Sequence, residues 1–143
     1  MEKLLRELQK RHNHMVHSIS DLVIRIKNGC MSGKAIIESP YSLFREEVLK
    51  KLLSLHFVKS YNITGEGVDK KFVIELAYEG RNKGVTDVKI FSKPGRRYYV
   101  TVKEIEKMHE GLGYAVISTP NGLLTHIEAK KSKTGGELLF HIR

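Results

Sequence analysis

A single cysteine, Cys30, stands in the 143 residues, so no internal disulfide can form and a reducing compartment is expected. No apolar run approaches the roughly 20 residues that a membrane-spanning helix needs. The opening residues, Met1-Glu2-Lys3-Leu4-Leu5-Arg6-Glu7, carry acids where a secretory leader would have an apolar core. Internal repeats and low-complexity segments are missing as well. There is no Ser-His-Asp order, and no carboxylate pair with a reason for a perturbed pKa. Gly111-Leu112-Gly113 is too short for a nucleotide loop and lacks the lysine of a phosphate-binding motif. His12, His14 and His17 do not fall on one helical face, and no cysteine or carboxylate pair completes a ligand set. Cys30, beside Met31, reads as a small buried group rather than a nucleophile. These absences disfavour an enzyme, and no cofactor, metal or membrane partner is expected; a cytoplasmic protein is.

Acids are scarce relative to bases. Sixteen Asp and Glu face 25 Lys and Arg, a net charge of +9, which points to a polyanionic partner, most often nucleic acid. The excess is localised. Residues 81–103 hold Arg81, Lys83, Lys89, Lys93, Arg96, Arg97 and Lys103 against Asp87 alone, whereas Glu104, Glu106 and Glu110 follow directly. A concentrated patch suggests a docking surface rather than a charge-coated tail.

The apolar share of 41% suffices for a packed core, and the length fits one domain or two small ones. Met15, Val16, Ile19, Leu22, Val23 and Ile26 recur at steps of three and four and predict a helix over 15–28, stopped by Gly29. Lys34 to Glu38 is a strand candidate. Ser42 after Pro40 reads as the N-cap of a second helix, with Glu46 and Glu47 in its first turn and Phe44, Val48, Leu52 and Leu55 facing inward. Phe57 to Ile63 and Phe72 to Tyr78 read as strands joined around Gly65-Glu66-Gly67. Leu4, Leu5 and Leu8 line one side of a short amphipathic segment in the first dozen residues, which is either a solvated arm or runs straight into the helix at 15.

Glu79 to Gly84 has no apolar residue and two glycines, which makes it the best linker in the chain. Beyond it Val85 to Phe91 alternates, Lys93-Pro94-Gly95 turns the backbone, and Thr101 with Glu104 forms a capping box for a helix ending at Gly111. Tyr114 to Ser118 reads as a strand, Leu123-Leu124 as extended, Thr125 with Glu128 as a second capping box, and Glu137 to Ile142 as a closing strand. The expectation is an α+β protein of two small α+β domains. An extension over 1–14 precedes an α-β-α-β-β domain over 15–80; a linker at 81–84 leads to a mixed β domain with short helices over 85–143, which would bind RNA.

Two segments carry candidate chemistry. Ser118-Thr119-Pro120-Asn121-Gly122 combines two hydroxyls, a rigid proline, an amide and a glycine. Its polar groups, turned outward, could bond bases and ribose hydroxyls, although Asn-Gly is equally the signature of a plain hairpin turn. In Lys93-Pro94-Gly95-Arg96-Arg97-Tyr98-Tyr99 the paired arginines suit phosphates, and tyrosines can stack on bases. Alternation turns Tyr98 and Tyr99 to opposite sides, leaving one for a ligand.

These residues also carry a resemblance. Leu22 to Gly29, Ser92 to Tyr99, Gly111 to Gly113 with Ser118 to Gly122, and Gly135-Gly136-Glu137-Leu138 occur in an order and spacing similar to the family of the eighth small-subunit ribosomal protein, bacterial form. The similarity covers about residues 15–143. It implies a two-domain α+β fold and an assembly protein that binds the central domain of small-subunit ribosomal RNA, beside neighbouring small-subunit proteins. It also implies repression of its own operon through a messenger RNA site that mimics the ribosomal one. Carried over by position, Ser118 and Thr119 would touch the RNA core, and Pro120, Asn121 and Gly122 would shape their loop. Tyr99 and Glu137 would lie beside it, while Lys93, Arg96 and Arg97 stand as RNA-binding candidates on the chemistry of their own segment. Lys27, Asn28 and Lys34 would reach the sugar-phosphate backbone. The chain departs from the family's pattern in its longer start, in Tyr98 where an aliphatic residue is common, and in Gly29 where a small alanine is usual. Two other readings stand beside this one. One is a free-standing RNA regulator outside the ribosome; the other is a small hydrolase or nuclease, for which no constellation speaks.

Overall fold

A computed structural model describes residues 1–77, 84–108, 111 and 113–143. Tyr78 and all of the expected linker except Gly84 lie outside the described residues. Two compact units emerge, one of Asp21–Val88 and one that joins Met1–Ser20 to Lys89–Arg143. This grouping differs from the boundaries expected at residues 14 and 80, because the start of the first helix belongs with the C-terminal strands.

That helix, α1, spans Glu2–Met31. Of the two readings of the first dozen residues, the continuous one holds: the segment runs straight into the helix expected at 15, because residues 2–11 are all Leu, Glu, Lys, Arg and Gln, strong helix formers with no glycine or proline among them. The Gln9 amide bonds Asn13 Oδ1 one turn on, at 3.0 Å. Gly29 does not stop the helix. It sits inside it and allows a close approach: a β-carbon there would come within 2.7 Å of Ile37 Cγ2 and 2.9 Å of Leu76 Cδ1. The stop falls at Gly33, whose φ of +71° lies in the left-handed region that glycine enters freely.

In the first unit, β1 (Ile36–Pro40), α2 (Leu43–Ser54), β2 (Val58–Thr64) and β3 (Lys71–Leu76) follow, so the expected α-β-α-β-β order holds. The sheet is antiparallel in the order β1-β3-β2. Phe72, Ile74 and Leu76 of β3 alternate into the core with Leu22, Val23 and Ile26 of α1 and Val48, Leu49 and Leu52 of α2. Ser42 caps α2 by accepting the Arg45 N–H at 3.1 Å. With the helix started there, the inward positions are Arg45, Val48, Leu49 and Leu52. Phe44, one step round the axis, is therefore exposed, contrary to expectation, and Leu55 is half-buried. The buried Arg45 is tolerated because its guanidinium meets Asp21 Oδ2 at 2.9 Å and the Ser39 hydroxyl.

The second unit contains β4 (Val88–Ile90) from Lys89 on, then β5 (Tyr99–Val100), α3 (Val102–Glu106), β6 (Tyr114–Thr119), β7 (Gly122–Thr125), α4 (His126–Ser132) and β8 (Gly136–Ile142). Strand order is β4-β8-β6-β7, with β5 also paired to β8. Thr101 and Thr125 cap α3 and α4 as expected, and only Thr125 with Glu128 closes the reciprocal box. The helix expected to end at Gly111 ends at Glu106. The strand expected over Val85 to Phe91 is regular only at Val88–Ile90. One sheet face packs Ile117 and Leu138 against Ile105 and Ala129 of the two short helices. On the other, Leu139 and Phe140 meet Val16 and Ile19 of α1. Three consecutive residues of β6, Ala115 to Ile117, are buried because both faces are covered.

Candidate nucleic-acid interface

Register decides which of the candidate residues come together. In β8, Leu139 is an extra residue: Val116 pairs with Phe140 while Ile117 pairs with Leu138. The bulge puts Leu139 and Glu137 on the α1 side of the sheet and Leu138 on the α3–α4 side. Glu137 then lies directly opposite Ser118 on β6 and opposite Tyr99 on β5. Opposed residues of antiparallel strands project from the same face. Tyr99, Glu137 and Ser118, which are 19 to 38 positions apart in sequence, therefore form one row across three strands.

Gly136 makes this row possible. A β-carbon there would stand 2.2 Å from the Ser118 carbonyl oxygen. Only a residue without a side chain lets β8 come close enough to hold Ser118 in place. The Ser118 hydroxyl is half-buried and makes no hydrogen bond to any described residue, so it is available to a ligand.

Thr119 is different. Its hydroxyl donates to the Gly122 carbonyl at 2.8 Å and accepts the Asn121 N–H at 3.1 Å, closing the β6–β7 hairpin from within. The expectation that both hydroxyls point outward is corrected to one. The turn is a hairpin, but Pro120 and Asn121 are its two central residues and Gly122, φ +98°, follows them. It is therefore not the Asn-Gly turn whose two central residues both have positive φ. Pro120, Asn121 and Gly122 are all exposed at its tip.

The basic segment forms a second turn. Lys93 and Arg96 exchange both backbone hydrogen bonds around Pro94-Gly95, at 3.0 and 2.9 Å. Lys93, Arg96 and Arg97 are exposed, and none has a carboxylate partner among the described residues. Arg97 donates to the Tyr99 hydroxyl at 3.1 Å, which steers the ring at the end of the row. Both tyrosines are exposed, Tyr98 at 43% and Tyr99 at 60%, rather than one of them alone. Tyr98 stands edge-on to Phe91, with ring centroids 5.4 Å apart.

Glu137 is covered. His12 Nε2 lies 2.8 Å from one of its carboxylate oxygens and 3.0 Å from the other, and both side chains are 9% exposed. Sequence reasoning missed this use of His12, because no spacing rule links residues 125 positions apart. It missed Gly136 too, although the Gly-Gly pair was a signal of close backbone approach.

In the first unit, Lys27 is 3.6 Å from Asp87 Oδ1. Asn28 and Lys34 line an open groove of about 530 Å³ with Arg25, Ser32 and Glu38. At the other end of Arg25, Asp21 accepts from both Arg25 (2.7 Å) and Arg45 (2.9 Å). Burial alone would raise the Asp21 pKa, but hydrogen bonds and positive charge from the two arginines outweigh it, and the carboxyl titrates below its ordinary value.

Among the described residues no group of His, Cys, Asp or Glu could hold a metal, and no helix is long and apolar enough to cross a membrane.

The sequence matches the profile of the family described as Ribosomal protein S8 over residues 17–142. It is 40% identical over 121 residues to the small ribosomal subunit protein uS8 of Dictyoglomus thermophilum, covering 85% of this chain and 92% of that one. The uS8 protein of Mycoplasmopsis synoviae is 37% identical over 125 residues, covering 87% and 95%. That of Thermus aquaticus is 39% identical over 132 residues, covering 87% and 96%. With a family profile spanning nearly the whole chain and relatives matched almost end to end, the chain belongs to the family of ribosomal protein S8, whose members are structural proteins of the ribosome and not enzymes.

Proposed function

We propose that this protein is a constituent of the small ribosomal subunit that binds the central domain of its RNA through the row Tyr99–Glu137–Ser118 and the two turns beside it. The observation that carries the reading is the alignment of an available hydroxyl and an exposed tyrosine in one row of the sheet, beside two exposed arginines that have no carboxylate partner among the described residues. Lys93, Arg96 and Arg97 supply a salt-sensitive attraction to phosphates. The Ser118 hydroxyl and the Pro120–Gly122 tip select one RNA shape, because against an ordinary duplex the hydroxyl stays unpaired. Tyr99 offers a ring face for stacking. Thr119 works indirectly, by fixing the turn. Lys27, Asn28 and Lys34 of the first unit contact sugar-phosphate backbone.

A messenger RNA folded into the same shape would meet the same surface, which is how the protein would repress its own operon. Neighbouring small-subunit proteins are further partners, and the site of action is the ribosome of the cytoplasm. The test is a filter-binding titration with a central-domain RNA fragment against scrambled RNA of equal length. Nanomolar binding preferred by a factor of roughly 10³ or more supports the reading; equal affinity for both RNAs overturns it.

A further inference from the structure

We propose that His12 is a positioning residue of this interface, holding the Glu137 carboxylate so that the row facing RNA presents no open negative charge. The inference rests on the RNA reading above. Glu137 lies between Tyr99 and Ser118, in the middle of the row assigned to RNA, and a free carboxylate there would repel phosphate. The His12 ring answers it with one nitrogen bonded to both oxygens at 2.8 and 3.0 Å. Because the carboxylate can only accept, Nε2 carries the hydrogen, and Nδ1 is left buried with no partner among the described residues. Such an arrangement is costly for a histidine that merely decorates a helix. Contact this dry sets the pair apart from a solvated one such as Lys71–Glu38, whose side chains are 44% and 60% exposed.

The adjacent residue makes the second connection. Asn13 Oδ1 accepts the Gly95 N–H at 2.8 Å, in the turn that presents Lys93 and Arg96. Residues 1–11 are all exposed, so α1 first engages the unit at His12 and Asn13, and these two touch both the row and the basic turn. Both precede the family match, which begins at residue 17.

The test is a double-mutant cycle in the full chain, with His12→Ala, Glu137→Gln and both together, titrated with the central-domain fragment and with scrambled RNA at one salt concentration. His12→Ala is expected to weaken binding of the fragment about tenfold, the effect of one uncovered carboxylate roughly 12 Å from a phosphate at an effective dielectric of about 20. In the Glu137→Gln background, where no charge remains to cover, His12→Ala should cost less than about twofold. His12 can still hydrogen-bond a glutamine at 137, so a purely structural brace would make the cost equal in both backgrounds, and that result overturns the proposal. So does wild-type affinity in His12→Ala. His12→Gln, which keeps a donor, should retain most of the binding if His12→Ala proves poorly folded; a tenfold loss there also overturns it. A wild-type protein that binds both RNAs equally would instead remove the RNA reading, and this role with it.

Discussion

Gly136→Ala tests whether backbone proximity holds the row together. The added methyl would stand 2.2 Å from the Ser118 carbonyl oxygen, 3.1 Å from its carbon and 3.2 Å from Ile117 Cγ2. Carbon–oxygen contacts in sheets settle near ~3.3 Å, so β6 and β8 must separate by about 1 Å. The obstructing atom is backbone, bonded into the sheet and unable to rotate away. Overpacking of this kind costs about 1–3 kcal/mol, and because the two nearest atoms are backbone this case falls near ~3 kcal/mol. For a chain of this size that lowers the melting temperature by roughly 10 °C. Circular-dichroism melts would measure it, with Gly111→Ala as control, since no described residue lies within 4 Å of a β-carbon there. RNA titration well below the variant's midpoint should then show poorer discrimination between specific and scrambled RNA, because Ser118 has moved. A melting temperature within about 2 °C of wild type would refute the geometric argument. Intact discrimination in a clearly destabilised variant would refute the link from Gly136 to Ser118.

Ser118→Ala should cost on the order of 1 kcal/mol of specific RNA binding and leave nonspecific binding unchanged, as measured by competition titration. Replacing Arg96 and Arg97 together by Ala should weaken all RNAs alike and reduce the slope of log K against log salt by about 2, read from titrations at several salt concentrations. Asp21→Asn leaves buried Arg45 without its carboxylate and should destabilise the fold by about 1–2 kcal/mol at neutral pH, a value discounted because Asp21 is partly exposed. The folded Asp21 pKa is lowered, so its contribution is full above the unfolded value of 3.8 and disappears as pH falls through the folded one. The gap between wild type and Asp21→Asn in urea melts should therefore close below about pH 4. Thr125→Ala removes the reciprocal capping box of α4 and should cost about 1 kcal/mol in the same melts.

What could be read from the sequence was local. Ser42, Thr101 and Thr125 announced three helices through cap chemistry that acts over three residues. Alternation at Phe72, Ile74 and Leu76 marked a half-covered strand. Phe44 misled because the apolar pattern was phased on it, whereas the cap phased the helix on Arg45, whose burial depends on Asp21, 24 positions upstream. The early start of α1 stayed undecided between a solvated arm and a continuous helix, because its first two turns carry exposed leucines that continue no buried stripe. The site was legible as segments but not as a surface. Periodicity gives the face of a strand but not its register, and a single bulged residue at Leu139 decides that Glu137 meets Ser118. Which of two neighbouring hydroxyls is free depended on a turn whose centre fell one residue earlier than the Asn-Gly pair suggested.

The pairing of His12 with Glu137 also bears on when the interface can come into being. Synthesis delivers α1 before β8, and the helix emerges with its histidine 125 residues ahead of the carboxylate it will hold. Tyr99 and Ser118 likewise wait for β8, the strand to which both β5 and β6 are joined. Under the proposed RNA reading, a nascent chain still lacking β8 has the basic turn but not the row, and so would have attraction for RNA without selection. On the proposed RNA reading, recognition is completed only once β8 has been made, which keeps chains without that strand from occupying the site.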